Sequence, residues 1–280
     1  MKVCILGLGN VGLPSAKYSL ARALDVYGYD VSGTAISRAF SEGIRATSKW
    51  DDIPEAEIYI VCVSSADHDC RGELTAVQEA CGKIATKGRR TLPLLVSVES
   101  TVVPGTCRRI FEDIFDGKIP LVHVPHRYWS RNSAEHGVRQ RRVIGGVDET
   151  SLRVGREFYG NTLDIPLDAV SSIEVAEMCK ISENAYRYVQ IAFAEQLRII
   201  CHQVDLDYDE VREACNTKWN IEILEARDGI RGGCLQKDIL HLDSLTNQGL
   251  LLQSAQEIDK RYREWINAPG SKGKLASGIH

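Results

Sequence analysis

Six residues near the start of the chain, Gly7-Leu8-Gly9-Asn10-Val11-Gly12, constrain the fold more than any other segment. They follow a short apolar run, Val3 to Leu6, and lead into Leu13 to Leu24, where apolar residues recur with helical spacing. A glycine turn between a strand and a helix lets backbone approach a pyrophosphate, whose charge then meets the helix N-terminus. Asp30 closes a second apolar run, Val26 to Asp30, near the spacing of about 20 residues at which a carboxylate meets the ribose hydroxyls. A carboxylate there repels a 2′-phosphate, so NAD is expected rather than NADP. A flavin dinucleotide is the competing ligand, and a turn serving only compact strand–helix packing is the competing role.

The alternation continues. Strands are predicted at Ile58 to Val63, Pro93 to Val98, Leu121 to Val124, Arg142 to Gly146 and Asp164 to Pro166. Helices are predicted at Leu74 to Ala85, Cys107 to Phe115 and Ser151 to Phe158. Short β-rich runs alternating with amphipathic helices imply an α/β fold, a doubly wound parallel sheet of Rossmann type over residues 1–170. Ligands of such sheets bind at the carboxyl ends of the strands. The expected cofactor contacts are therefore Gly7, Gly9, Asn10, Val11, Gly12, Asp30, Val63, Ser64, Ser100 and Thr101.

From Ser172 the character changes. Ile173 to Val204 lacks a strong breaker and is apolar around most of its circumference, which predicts a long central helix that links domains and packs on other subunits. A short helix at Asp209 to Cys215 and a last long helix at Ile239 to Ile266 complete a mostly helical substrate and dimerisation domain, residues 171–267. Residues 268–280 read as a loose tail. A homodimer is expected.

The 280 residues carry 34 Lys and Arg against 38 Asp and Glu, a net charge of -4, which argues against a nucleic-acid partner. The Arg139, Arg141 and Arg142 run is a candidate anion grip or a solvated face. Nine cysteines without a leader pattern fit reduced thiols and a cytoplasmic location. Cys4, Cys62, Cys179, Cys201 and Cys215 read as small core residues. No ligand spacing suggests a metal, and no apolar stretch suggests a membrane span.

Chemistry is suggested by Gly232-Gly233-Cys234-Leu235-Gln236-Lys237-Asp238, a thiol, an amine and a carboxylate behind two glycines. Cys234 reads as a nucleophile or as a packed thiol at a helix start. Glu99 to Thr106 places hydroxyls after a strand, and Glu177, Lys180 and Asn184 share a helical face. Lys180 could also be a surface partner of Glu177.

The motifs GLGNVGLP, ESTVVPGT, EMCKISENAYR with IAFAEQL after it, and GGCLQKD occur in this order. Together they resemble the UDP-glucose/GDP-mannose dehydrogenase family of NAD-dependent nucleotide-sugar 6-dehydrogenases, over nearly the whole chain to about Ile266. The resemblance implies oxidation of a primary alcohol to a carboxylate through a thiohemiacetal and thioester on Cys234. Lys180 and Asn184 would stabilise the oxyanion, Asp238 and Thr101 would order water or pass protons, and Lys237 would help hold the site and cofactor. Lys180, Asn184, Arg231 and Gly233 would contact the substrate, a nucleotide sugar or a smaller phosphorylated alcohol.

Three departures stand out. His126 replaces a family Glu implicated in proton transfer and becomes the expected base, Gln236 replaces a usual Pro, and the family's further nucleotide-clasping domain is expected to be absent. The alternatives are a two-electron alcohol dehydrogenase that stops at the aldehyde and a non-catalytic NAD-binding relative.

Overall fold

The apolar runs of the first half become strands because their side chains find cover on both faces. Ile58, Tyr59, Ile60 and Val61 are all essentially inaccessible, as strands of a parallel sheet are. A computed structural model describes residues 1–64, 75–87, 93–129, 132 and 136–268. Among these, eight strands form one sheet: β1 (Lys2–Leu6), β2 (Asp25–Tyr29), β3 (Arg45–Thr47), β4 (Ile58–Val61), β5 (Leu95–Val98), β6 (Leu121–His123), β7 (Arg142–Gly146) and β8 (Leu167–Ala169). Their spatial order is 3-2-1-4-5-6-7-8, and the winding reverses between β1 and β4, where such sheets open a ligand crevice. Every pairing is parallel except β6 with β7.

Side-chain alternation splits the core in two. Val3, Ile5, Ile58 and Ile60 pack with α1 (Gly12–Ala21) and α2 (Gly33–Ser41). Cys4, Leu6, Tyr59 and Val61 pack with α3 (Thr75–Lys87) and α4 (Thr106–Arg109). The helix after β7 is α5 (Glu149–Arg156), and it winds on into a π turn over Glu157–Thr162.

Several expectations need correction. Helix α2 and strand β3 escape the apolar pattern because α2 buries only the small Ala35 and Ala39, while Ser32 caps it by accepting the Ala35 N–H. Strand β8 begins three residues later than expected. Asp164 has φ 55°, in the left-handed region, and cannot open a strand. The predicted helix from Ile239 to Ile266 is two helices, α8 (Gly233–Asp243) and α9 (Leu250–Asn267). They break at Gly249, where a Cβ would stand 1.6 Å from Asp243 Oδ1. Cys215 is exposed rather than packed. The start of the predicted helix at Leu74, and the tail from residue 269 on, lie outside the described residues.

The chain resolves into two compact units, meeting at Lys180 and Ile181 within the unbroken helix α6 (Ile173–Gln203). In the second unit, α6, α7 (Tyr208–Asn216), α8 and α9 enclose Ala185, Tyr188, Ala192, Ala194, Ile239, Ala255 and Tyr262. On α6, Tyr186 and Phe193 are 66% and 56% exposed within this single chain. Among the described residues, no helix is long and apolar enough to cross a membrane.

Polar groups are also sealed inside the second unit. Buried Asp259 accepts from the Tyr188 hydroxyl (3.1 Å) and the Ile230 N–H (2.8 Å) and pairs with Arg263 (2.9 Å). Glu195 is fully buried without a hydrogen-bond partner. Burial, then the nearby Asp259 charge, pushes its carboxyl up to about 8, with Arg263 opposing. The folded unit thus holds a proton that the unfolded chain releases above the ordinary carboxylate range. Stability is highest at acidic pH in this respect and declines as pH rises toward 8. Glu195→Gln should remove that slope, so that its melting temperature gains on the unaltered chain between about pH 5 and pH 8; calorimetry across this range checks it.

Candidate active site

The turn between β1 and α1 is tight for steric reasons. Gly7 has φ 90°, and a Cβ on it would meet the Cys62 carbonyl oxygen at 2.6 Å. A Cβ on Gly12 would stand 1.8 Å from the Gly7 oxygen, whereas Gly9 has open space. Backbone at Gly9 can therefore be approached by a ligand, beside the N–H groups that a helix leaves unpaired in its first turn. Asp30 follows directly on β2, where the motif requires a carboxylate. Its Oδ2 accepts the Leu8 N–H (2.6 Å) and its Oδ1 the Ser32 N–H (2.8 Å), which braces the turn and leaves lone pairs for a ribose. These residues fit a dinucleotide.

At the ends of β4 and β5, the Ser100 hydroxyl donates to the Val63 carbonyl at 2.8 Å, tying the two strand ends together. Ser64 is exposed and Thr101 half-buried at the same edge. Beneath lies Glu99, 4% exposed and surrounded by donors. Its Oε1 accepts from Arg142 (3.0 Å) and the Tyr159 hydroxyl (2.6 Å). Its Oε2 meets His126 Nε2 (2.6 Å), the Ser15 hydroxyl (3.2 Å) and the Cys62 thiol (3.4 Å). Burial alone would raise this carboxyl, but His126, Arg142 and Tyr159 outweigh it and hold it well below the usual range.

His126, the expected base, is itself buried in this network, with Nε2 also 2.8 Å from Ser15 Oγ. Burial first, then the Arg142 charge, lowers its basicity against the pull of Glu99. The imidazole is therefore neutral at neutral pH. The Lys180 charge reaches both His126 and the buried His123, adding to the burial that takes His123 down to about 3. Glu177 is wholly buried and accepts the backbone N–H groups of Gly105 (2.6 Å) and Cys107 (2.7 Å), so its role is to hold the turn after Thr101.

The arginine run divides. Arg142 is 1% exposed and committed to Glu99, while Arg139 and Arg141 sit on the surface beside Asp164 and Asp168. Arg142 is thus no surface anion grip.

In the second unit the GGCLQKD segment is the start of α8. Gly232 has φ 91° and ψ 151°, a conformation open essentially to glycine alone. Cys234 follows in the first turn and is exposed. One turn on, Asp238 is 1% exposed, accepts a hydrogen bond from Asn184 Nδ2, and lies 3.4 Å from Lys237 Nζ. Asn184, Lys237 and Asp238 are therefore gathered around one buried carboxylate. Arg231 is exposed beside Asp228 at 3.8 Å. Sequence reasoning missed the roles of Ser15, Tyr159 and Glu99. The available signal was an acidic residue directly after the wholly apolar-flanked strand Leu95–Val98.

Fold and site define a dinucleotide-binding α/β protein with a helical second unit. The chain belongs to the UDP-glucose/GDP-mannose dehydrogenase family: the family's NAD binding domain matches residues 34–163 and its central domain residues 174–261. The UDP-N-acetyl-D-mannosamine dehydrogenase of Methanocaldococcus jannaschii is 29% identical, over 92% of this chain and 65% of its own length. The NDP-N-acetyl-D-galactosaminuronic acid dehydrogenase of Ralstonia solanacearum is 25% identical, over 92% and 68%. The solved UDP-D-ManNAc dehydrogenase of Pyrococcus horikoshii superposes with a TM-score of 0.84 at 26% identity, over 94% of this chain and 69% of that one. The chain spans about two thirds of the length of these curated relatives.

Arg142→Met would leave the Glu99 carboxylate buried without the guanidinium it pairs with. Urea unfolding should show a loss of about 3–5 kcal/mol from the first unit. Because the folded carboxyl sits below its ordinary range, its contribution is complete above that range and fades as pH falls through the folded value.

Proposed function

We propose that this chain oxidises the primary alcohol of a nucleotide sugar, or of a smaller phosphorylated alcohol, to a carboxylate in two NAD-dependent steps through Cys234. The observation that carries the reading is the gathering of Lys237 and Asp238 on α8 with Asn184 on α6, behind an exposed Cys234, in a chain of this family. Residues 1–170 would hold the cofactor, through Gly7, Gly9, Asn10, Val11, Gly12, Asp30, Val63, Ser64, Ser100 and Thr101, with Lys237 assisting. Residues 171–267 would serve substrate and dimer contacts, Arg231 and Gly233 among them.

Bound NAD would supply a hydride acceptor for each oxidation. Cys234 Sγ would add to the aldehyde carbon left by the first oxidation and give up its proton. Lys180 and Asn184 would stabilise the oxygen of this thiohemiacetal by charge and hydrogen bonding. After the second oxidation the acyl group rests on sulfur as a thioester. Asp238 and Thr101 would order the water that cleaves it, releasing the carboxylate and restoring the thiol. A second reading, one oxidation ending at the aldehyde, is favoured by the commitment of His126 to Glu99, which withdraws that imidazole from the role of base in the later step.

Counting NADH formed per molecule of substrate consumed, across nucleotide sugars and phosphorylated alcohols, separates these readings. Two is expected, and one points to the aldehyde. Cys234→Ala should abolish acid formation, and acid that persists would sink the thioester.

The homodimer rests on α6. Tyr186, Phe193 and Ile200 recur every seven residues and are all exposed, beside a groove with Trp219 92% exposed. A seven-residue apolar stripe suits pairing with a second helix. Phe193→Asp should shift the sedimentation coefficient from dimer to monomer.

A further inference from the structure

We propose that Glu99, acting through Ser15 and His126, is a positioning residue that fixes the first turn of α1 for the dinucleotide pyrophosphate. His126 serves this lock as a neutral hydrogen-bond donor. The inference rests on the NAD reading above and concerns how the cofactor turn keeps its shape.

Ser15 stands in the first turn of α1, immediately after the glycine fingerprint, and is 4% exposed. The N-cap position Val11 offers no side-chain oxygen, and no acidic residue occupies the first turn. The entry of this helix therefore has no cap of its own. What holds it is the triangle of Ser15 Oγ, Glu99 Oε2 and His126 Nε2, with sides of 3.2, 2.6 and 2.8 Å. Glu99 can bear three donors on Oε2 because Arg142 and Tyr159 take Oε1 and fix the plane of the carboxylate. Cys62, the third donor, is the residue against which Gly7 and Gly12 are packed. The network thus touches the fingerprint from the residues just after β4 and β5 and from α1 together.

The groups facing His126 decide its state. Glu99 from β5 favours the imidazolium, whereas Arg142 from β7, Lys180 from α6 and burial oppose it. Ser15 from α1 and the Tyr128 ring complete its surroundings. A neutral ring with a proton on Nε2 satisfies Glu99 and adds no charge beneath the pyrophosphate. Such a ring is not placed to exchange protons with substrate.

The test is NADH affinity, read by fluorescence titration, together with the NMR titration of the His126 ring. His126→Ala and Ser15→Ala should each weaken NADH binding by about tenfold. His126→Gln, whose amide N–H can still reach Glu99, should recover most of that loss while the Ala variant does not. The His126 ring should titrate below the ordinary histidine value. Circular dichroism of each variant separates a loosened turn from an unfolded unit. Unchanged NADH affinity in folded His126→Ala, or a ring titrating at an ordinary histidine value, would overturn the proposal. Failure of the unaltered chain to bind NADH would instead overturn the cofactor reading itself.

Discussion

The carboxyl edge of the sheet depends on one buried ion pair, Glu99 with Arg142, each 1% exposed at the side chain and 3.0 Å apart. Removing two charges from water is expensive, and a pair recovers the cost only when the remaining lone pairs and protons also find partners. Here they do. Tyr159, His126, Ser15 and Cys62 occupy the rest of the carboxylate, and the Val138 carbonyl takes a further guanidinium N–H. Strands β4, β5 and β7, helix α1, the π turn after α5 and the loop after β6 are thereby joined at one point. The point lies beneath the glycine fingerprint.

That junction requires a strand running the wrong way. In a parallel strand the first residue lies at the edge opposite the ligand crevice. β7 instead runs antiparallel to β6, with Val122 facing Gly146 and His123 facing Gly145, so its first residue, Arg142, emerges at the carboxyl edge beside Glu99. The π turn over Glu157–Thr162 acts to similar effect. Its wider coil sits where Tyr159 must turn inward, in keeping with the use of π turns to redirect side chains.

The second unit uses a comparable device on a smaller scale. Asp238 is buried in α8 and held by Asn184 and Lys237, so the segment that carries Cys234 starts from a fixed point rather than a loose loop. Gly232 sets the entry angle with a backbone conformation closed to other residues.

The sequence by itself determined the local grammar of this protein. GLGNVG after Val3–Leu6, Asp30 at the end of the next strand and the spacing of Lys180 and Asn184 are short-range patterns, and short-range patterns are what strands, turns and helices obey. The sheet class followed from them, whereas α8 begins at Gly233 rather than at the expected Ile239. The sequence was silent on α2, whose buried face is only two alanines, and misleading on the Ile239–Ile266 helix, which is interrupted between Asp243 and Leu250. Tertiary structure alone decided that Arg142 is a core residue rather than a surface anion grip, and that His126 faces Glu99. Those outcomes depend on strand direction and on partners 27 to 111 residues apart in the chain, and no periodicity encodes contacts made at such range.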